Sequence, residues 1–100
     1  MRRHWFYILL SLAEHDRHGS GIMRDVLELT DGDLKLWPVT LYGSLEELRE
    51  HGMLRPLPDD EGRKRLFRIT AAGRRALAAE VARLEGTLRV ASRRLAQGDA

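Results

Sequence analysis

Between residues 38 and 52 the chain reads PVTLYGSLEELREHG. Proline suits the first position of a helix, where its missing N–H would have had no intrahelical partner. Leu41, Leu45 and Leu48 recur at helical spacing and form one inward stripe. Gly52 stands where helices often end in a left-handed residue. The segment therefore predicts a helix that opens at Pro38 and stops before Gly52. Thr40 and Tyr42 lie near its start and off the leucine stripe. Trp37 occupies the position where a serine, threonine or aspartate would be expected as cap.

Downstream, residues 53–57 and 65–70 read as two strands flanking the turn Pro58-Asp59-Asp60-Glu61-Gly62. Pro56 has no N–H to give to a ladder, which places the hairpin at a sheet edge. Thr70 is an N-cap for a last helix over residues 71–97, ended by Gly98. Along that helix Leu77, Val81, Leu84, Leu88, Ala91 and Leu95 are spaced 4, 3, 4, 3, 4, an a/d seam suited to a second helix. Gly86 inside it weakens the helix by about 1 kcal/mol relative to alanine.

Upstream, residues 3–13 predict a helix with Trp5, Ile8, Leu9 and Leu12 on one stripe and Phe6, Leu10 and Ala13 on a second beside it. So broad an apolar surface needs cover on two sides, and a partner subunit is one source of it. Residues 14–21 are polar and glycine-containing and interrupt the helix. A second helix follows over 20–29, with Ile22, Met23, Val26 and Leu29 as its buried positions, and residues 30–33 form a turn.

The 100 residues make one small domain with a formal charge of only +2. The charge is uneven. Residues 1–62 hold 7 basic and 12 acidic side chains (net −5), and residues 63–100 hold 10 and 3 (net +7). Arg63, Lys64, Arg65, Arg68, Arg74 and Arg75 follow one another without an acid. Such a cluster is either a patch for a polyanion or a solvated helix face, and composition alone does not separate the two. There is no cysteine, so disulfides and thiol chemistry are excluded and a reducing cytoplasm is the expected setting. The longest N-terminal apolar run, residues 5–10, is too short for a membrane span. His15 and His18 lack a clear third ligand, and neither a phosphate-binding glycine loop nor a catalytic grouping is present. No enzyme, cofactor or metal is expected.

Helix, helix, helix, hairpin, long helix is the layout of a mostly α winged helix-turn-helix domain (residues 1–70) with a C-terminal dimerisation helix (71–100). In that design the third helix offers its first turn to the major groove, the hairpin reaches the adjacent backbone, and a dimer sets the spacing of two half-sites. Particular residues narrow the resemblance. His18-Gly19-Ser20-Gly21-Ile22, the helix Pro38 to Leu48 with Thr40-Leu41-Tyr42, Glu50-His51-Gly52-Met53-Leu54, and the run from Arg63 to Arg68-Ile69-Thr70-Ala71-Ala72-Gly73 are together similar to the PadR family of transcriptional regulators. The family often has Ser before the helix-opening proline and Gly after it, where this chain has Trp37 and Val39. It often has Pro after the tyrosine, here Gly43, and an aromatic after His-Gly, here Ser20.

The resemblance implies a homodimeric, mostly repressing protein that binds operator DNA with two half-sites. The C-terminal helix would pack across the dimer on the first helix of the other subunit. Thr40, Tyr42 and, less strongly, Ser44 are the expected DNA contacts of the third helix; the alternative for Tyr42 is packing on the second helix. Arg63, Lys64 and Arg65 are expected on the DNA backbone, against the alternative of a solvated edge strand. Leu77, Val81, Leu84, Leu88, Ala91 and Leu95 are the expected dimer seam. Small relatives of the family bind planar aromatic compounds at the dimer interface, which makes Trp5 and Phe6 candidates for a small aromatic effector; the alternative is plain core packing. The rival function is a protein-interaction module that pairs through its heptad helix and binds no specific DNA.

Overall fold

The computed structural model describes residues 1–58 and 65–98. Seven elements follow in order: α1 (Arg3–Glu14), β1 (Arg17–His18), α2 (Gly19–Leu29), α3 (Pro38–Glu50), β2 (Leu54–Leu57), β3 (Leu66–Ile69) and α4 (Ala71–Gly98). The leucine stripe of α3 sits at the centre. Leu41, Leu45 and Leu48 meet Ile8, Leu9 and Leu12 of α1, Ile22 and Val26 of α2, and Leu54, Phe67 and Ile69 of the sheet. The expected helix limits hold because local chemistry sets them. Pro38 is at the start of α3. At its end Gly52 takes φ +71°. There the Gly52 N–H donates to Arg49 O (2.9 Å) and the Met53 N–H to Leu48 O (2.9 Å), closing a Schellman turn. Thr70 caps α4, with its Oγ1 3.0 Å from the Gly73 amide.

The sheet is antiparallel with strand order β1-β3-β2. Pro56 lies on the edge strand β2, opposite Phe67, as its missing donor requires. Strand β1 is absent from the sequence expectation. Two residues carry no periodicity, and Arg17 and His18 become strand only because the second edge of β3 is there to pair with them. Leu29, expected inward, is exposed at the end of α2, whereas Leu34 and Leu36 of the following loop are buried in the core.

Helix α4 departs from the heptad expectation in one respect. Leu77 is buried within the protomer as a member of the central core, so it is not available to a partner as the other seam residues are. The first turns of α4 pack on α1. Glu80 is buried there and accepts two hydrogen bonds from Arg83 (2.7 and 3.0 Å). Beyond Glu80 no described residue is buried, and the helix projects. The radius of gyration is accordingly 15.9 Å, against about 13 Å for a compact chain of this length.

Arg68 of β3 clamps Asp16 before β1 in a bidentate pair, with Nε–Oδ1 3.1 Å and Nη2–Oδ2 2.7 Å. The hydrogen bonds from Arg68 hold the Asp16 carboxyl below its ordinary value, with the guanidinium charge adding to the effect. A depressed folded-state pKa stabilises above the unfolded value, roughly pH 4, and the stabilisation is lost as pH falls through the folded value. Asp16→Asn is therefore expected to lower the Tm at pH 7 and to narrow the gap from the native protein by pH 3. Thermal melts across that range check it.

Candidate nucleic-acid interface

The start of α3 is built to stand clear of the body. Its leucines face the core, so the intervening side chains of the first two turns face out. Trp37 is 62% exposed, Val39 87% and Tyr42 53%, and Thr40 is exposed beside them. No side chain caps the helix and no acid lies in its first turn. The positive end of the helix dipole thus meets solvent together with a hydroxyl and a phenol. Trp37 carries the Lys35 ammonium 4.5 Å from its ring centroid.

Tyr42 does two things. Its ring is half open to solvent, and its hydroxyl lies over Gly19, so close that a β-carbon there would fall 2.5 Å from the oxygen. The packing alternative and the exposed surface are both present. Ser44 is corrected. It is 8% exposed, largely buried at the base of the depression that it lines with Thr40, and leaves little side-chain surface for a contact. The signal was available, since Ser44 lies three residues after Leu41 and four before Leu48, on the leucine stripe itself.

Arg65 directly precedes β3 and is exposed. Its carbonyl accepts from the His18 ring, with Nδ1 3.2 Å away, which ties the wing to the start of α2. Arg63 and Lys64 lie outside the described residues. Between α2, α3 and the wing runs a groove of about 640 Å³ with Met23, Pro38, Leu45, Pro56 and Phe67 among its lining and Tyr42, Arg49 and Arg65 along it. Two of the three acids of α3 are paired with arginines. Arg49 pairs with Glu46 and Arg2 with Glu47 at 2.7 Å. The Arg49 hydrogen bond holds the Glu46 carboxyl below its ordinary value, and the Arg65 charge adds a smaller push the same way. The rest of the basic run divides. Arg68 is held by Asp16 and Arg74 donates to Ala13 O (3.1 Å), while Arg65 and Arg75 have no acidic partner among the described residues.

The aromatics of α1 do not share a site within the protomer. Trp5 tilts against His51, with ring centroids 5.0 Å apart, and lines a shallow depression of about 270 Å³ beside Val39, Thr40 and Gly43 of α3. Phe6 meets Tyr7 edge-on at 5.2 Å and lines neither cavity. Among the described residues no group of three or more histidines, acids or cysteines could hold a metal ion. No described helix is long and apolar enough to cross a membrane.

Residues 8–79 match the model of the transcriptional regulator PadR-like family. An uncharacterized 37.1 kDa protein in transposon Tn4556 of Streptomyces fradiae is 39% identical over 82 residues, 79% of this chain; the chain spans 23% of that relative's length. A PadR family transcription regulator from Clostridium difficile superposes with TM-score 0.80 at 18% identity, covering 94% of this chain and 99% of that one. RosR of H. salinarum gives TM-score 0.73 at 26% identity, covering 89% of this chain and 76% of the other. BpsR of Bordetella bronchiseptica, whose DNA binding is regulated by 6-hydroxynicotinic acid, gives 0.73 at 18% over 90% and 64%.

Proposed function

The chain belongs to the transcriptional regulator PadR-like family, and on that premise we propose that it is a homodimeric repressor that binds an operator of two half-sites in the cytoplasm. The observation that carries this reading is the first turn of α3. It is uncapped, free of acids and presents Thr40 to solvent, and Tyr42 just after it lines one groove with the exposed Arg65 of the wing. Thr40 and Tyr42 supply a hydroxyl and a phenol for phosphates and base edges, and Arg65, with Arg63 and Lys64 directly before it in sequence, supplies charge for the backbone. The partner subunit covers the projecting part of α4 through Val81, Leu84, Leu88, Ala91 and Leu95, and so spaces the two reading helices.

Fluorescence anisotropy on the DNA upstream of its own gene tests this. Tyr42→Ala and Arg65→Ala are each expected to weaken operator binding about tenfold while leaving the dimer intact. Affinity should fall steeply between low and physiological salt. Normal binding by both variants would show that another surface contacts DNA. Equal binding to unrelated DNA would favour the interaction-module reading, for which the exposed seam of α4 speaks.

A small planar aromatic effector completes the proposal. Trp5, half-buried beside the first turn of α3, offers it a flat apolar face close to the reading surface. Calorimetry with planar aromatic acids, in the native protein and Trp5→Leu, checks it. Heat that persists unchanged in the variant would remove Trp5 from the site.

A further inference from the structure

Val39 is the most exposed of the large apolar side chains at the start of α3, at 87%, and nothing in the protomer covers it. Its neighbour Trp37 is 62% exposed and holds the Lys35 ammonium against one face of the indole. An isopropyl group can neither donate nor accept a hydrogen bond, so it cannot read the polar edge of a base. The major groove offers such a group one matching feature, the 5-methyl of thymine. The alternative occupant, a second protein surface, would have to bury the Lys35 charge together with the ring, at a desolvation cost that a phosphate partner removes. Resting on the DNA-binding reading above, we propose that Val39 is a specificity-determining residue that selects thymine beneath the first turn of α3, with Trp37 as the adjoining apolar wall and Lys35 as its backbone anchor.

The chemistry sets the test. Selection of bound oligonucleotides from a random pool should yield a thymine at one fixed position in each half-site. Replacing that thymine by deoxyuridine removes only the methyl group, and is expected to weaken binding roughly fourfold per half-site. Val39→Ala should bind the thymine operator more weakly than the native protein does and should be indifferent to the deoxyuridine replacement. The variant keeps its fold, since the side chain packs on nothing and alanine favours the helix; an unchanged Tm verifies this. A selected operator whose affinity ignores the methyl, or a Val39→Ala variant that still senses it, overturns this inference and leaves DNA binding standing. A pool that yields no sequence overturns both. A Val39→Ala variant that dissociates the dimer assigns the patch to a second copy and also overturns it.

Discussion

Gly73→Ala is expected to lower the Tm by at least about 12 °C, the equivalent of about 3 kcal/mol in a domain of this size. A β-carbon at Gly73 would lie 2.0 Å from the Met53 carbonyl oxygen and 2.8 Å from the Ile69 side chain. The oxygen is not free to move, because it accepts the Thr70 amide at 3.1 Å. The Thr70 hydroxyl donates to the Gly52 carbonyl at 2.6 Å in the same place. The end of α3, the end of β3 and the start of α4 thus meet at one backbone contact, and any added atom must force α4 off the core that Leu77 helps to fill. Gly43→Ala is the control. Nothing lies within 4 Å of its added carbon, the position is exposed within α3, and a gain of about 0.5–1 kcal/mol is expected. Differential scanning calorimetry of the two variants decides the matter. A Gly73→Ala protein that melts with the native one would show that the close approach does not exist in solution.

The second large effect concerns assembly. Leu88 is 64% exposed and Leu95 72% in the protomer, so the pair Leu88→Glu and Leu95→Glu costs the isolated fold little. In a dimer sealed through that seam, each copy would bury two carboxylates against apolar surface, at several kcal/mol per ion. The dimer dissociation constant should weaken by at least about a thousandfold. Operator affinity should fall by roughly a hundredfold or more, because the two half-sites would no longer be engaged together. Sedimentation equilibrium reads the first loss and anisotropy the second. The native Tm should rise with protein concentration and that of the double variant should not. A native protein that sediments as one chain at micromolar concentration, or a double variant that remains paired, would remove the dimer from the proposed function.

What residue order determined by itself is the list of helices and their limits. Pro38 starts α3, Gly52 ends it and Thr70 caps α4, because proline's missing donor, glycine's left-handed freedom and threonine's hydroxyl act over one turn of backbone. The hairpin with its proline edge was legible on the same ground. Tertiary structure decided which faces are covered. Leu77 and Leu88 look alike in a heptad, yet α1 reaches only the first turns of α4, so one is core and the other is surface. Strand β1 exists because β3 has an edge to offer it. The ion pairs that quiet α3 and brace β3, Arg2 with Glu47 and Arg68 with Asp16, join residues 45 and 52 positions apart. Backbone propensity and capping are local energies that neighbouring residues express wherever they occur, whereas burial and charge pairing depend on distances that only the packed chain defines.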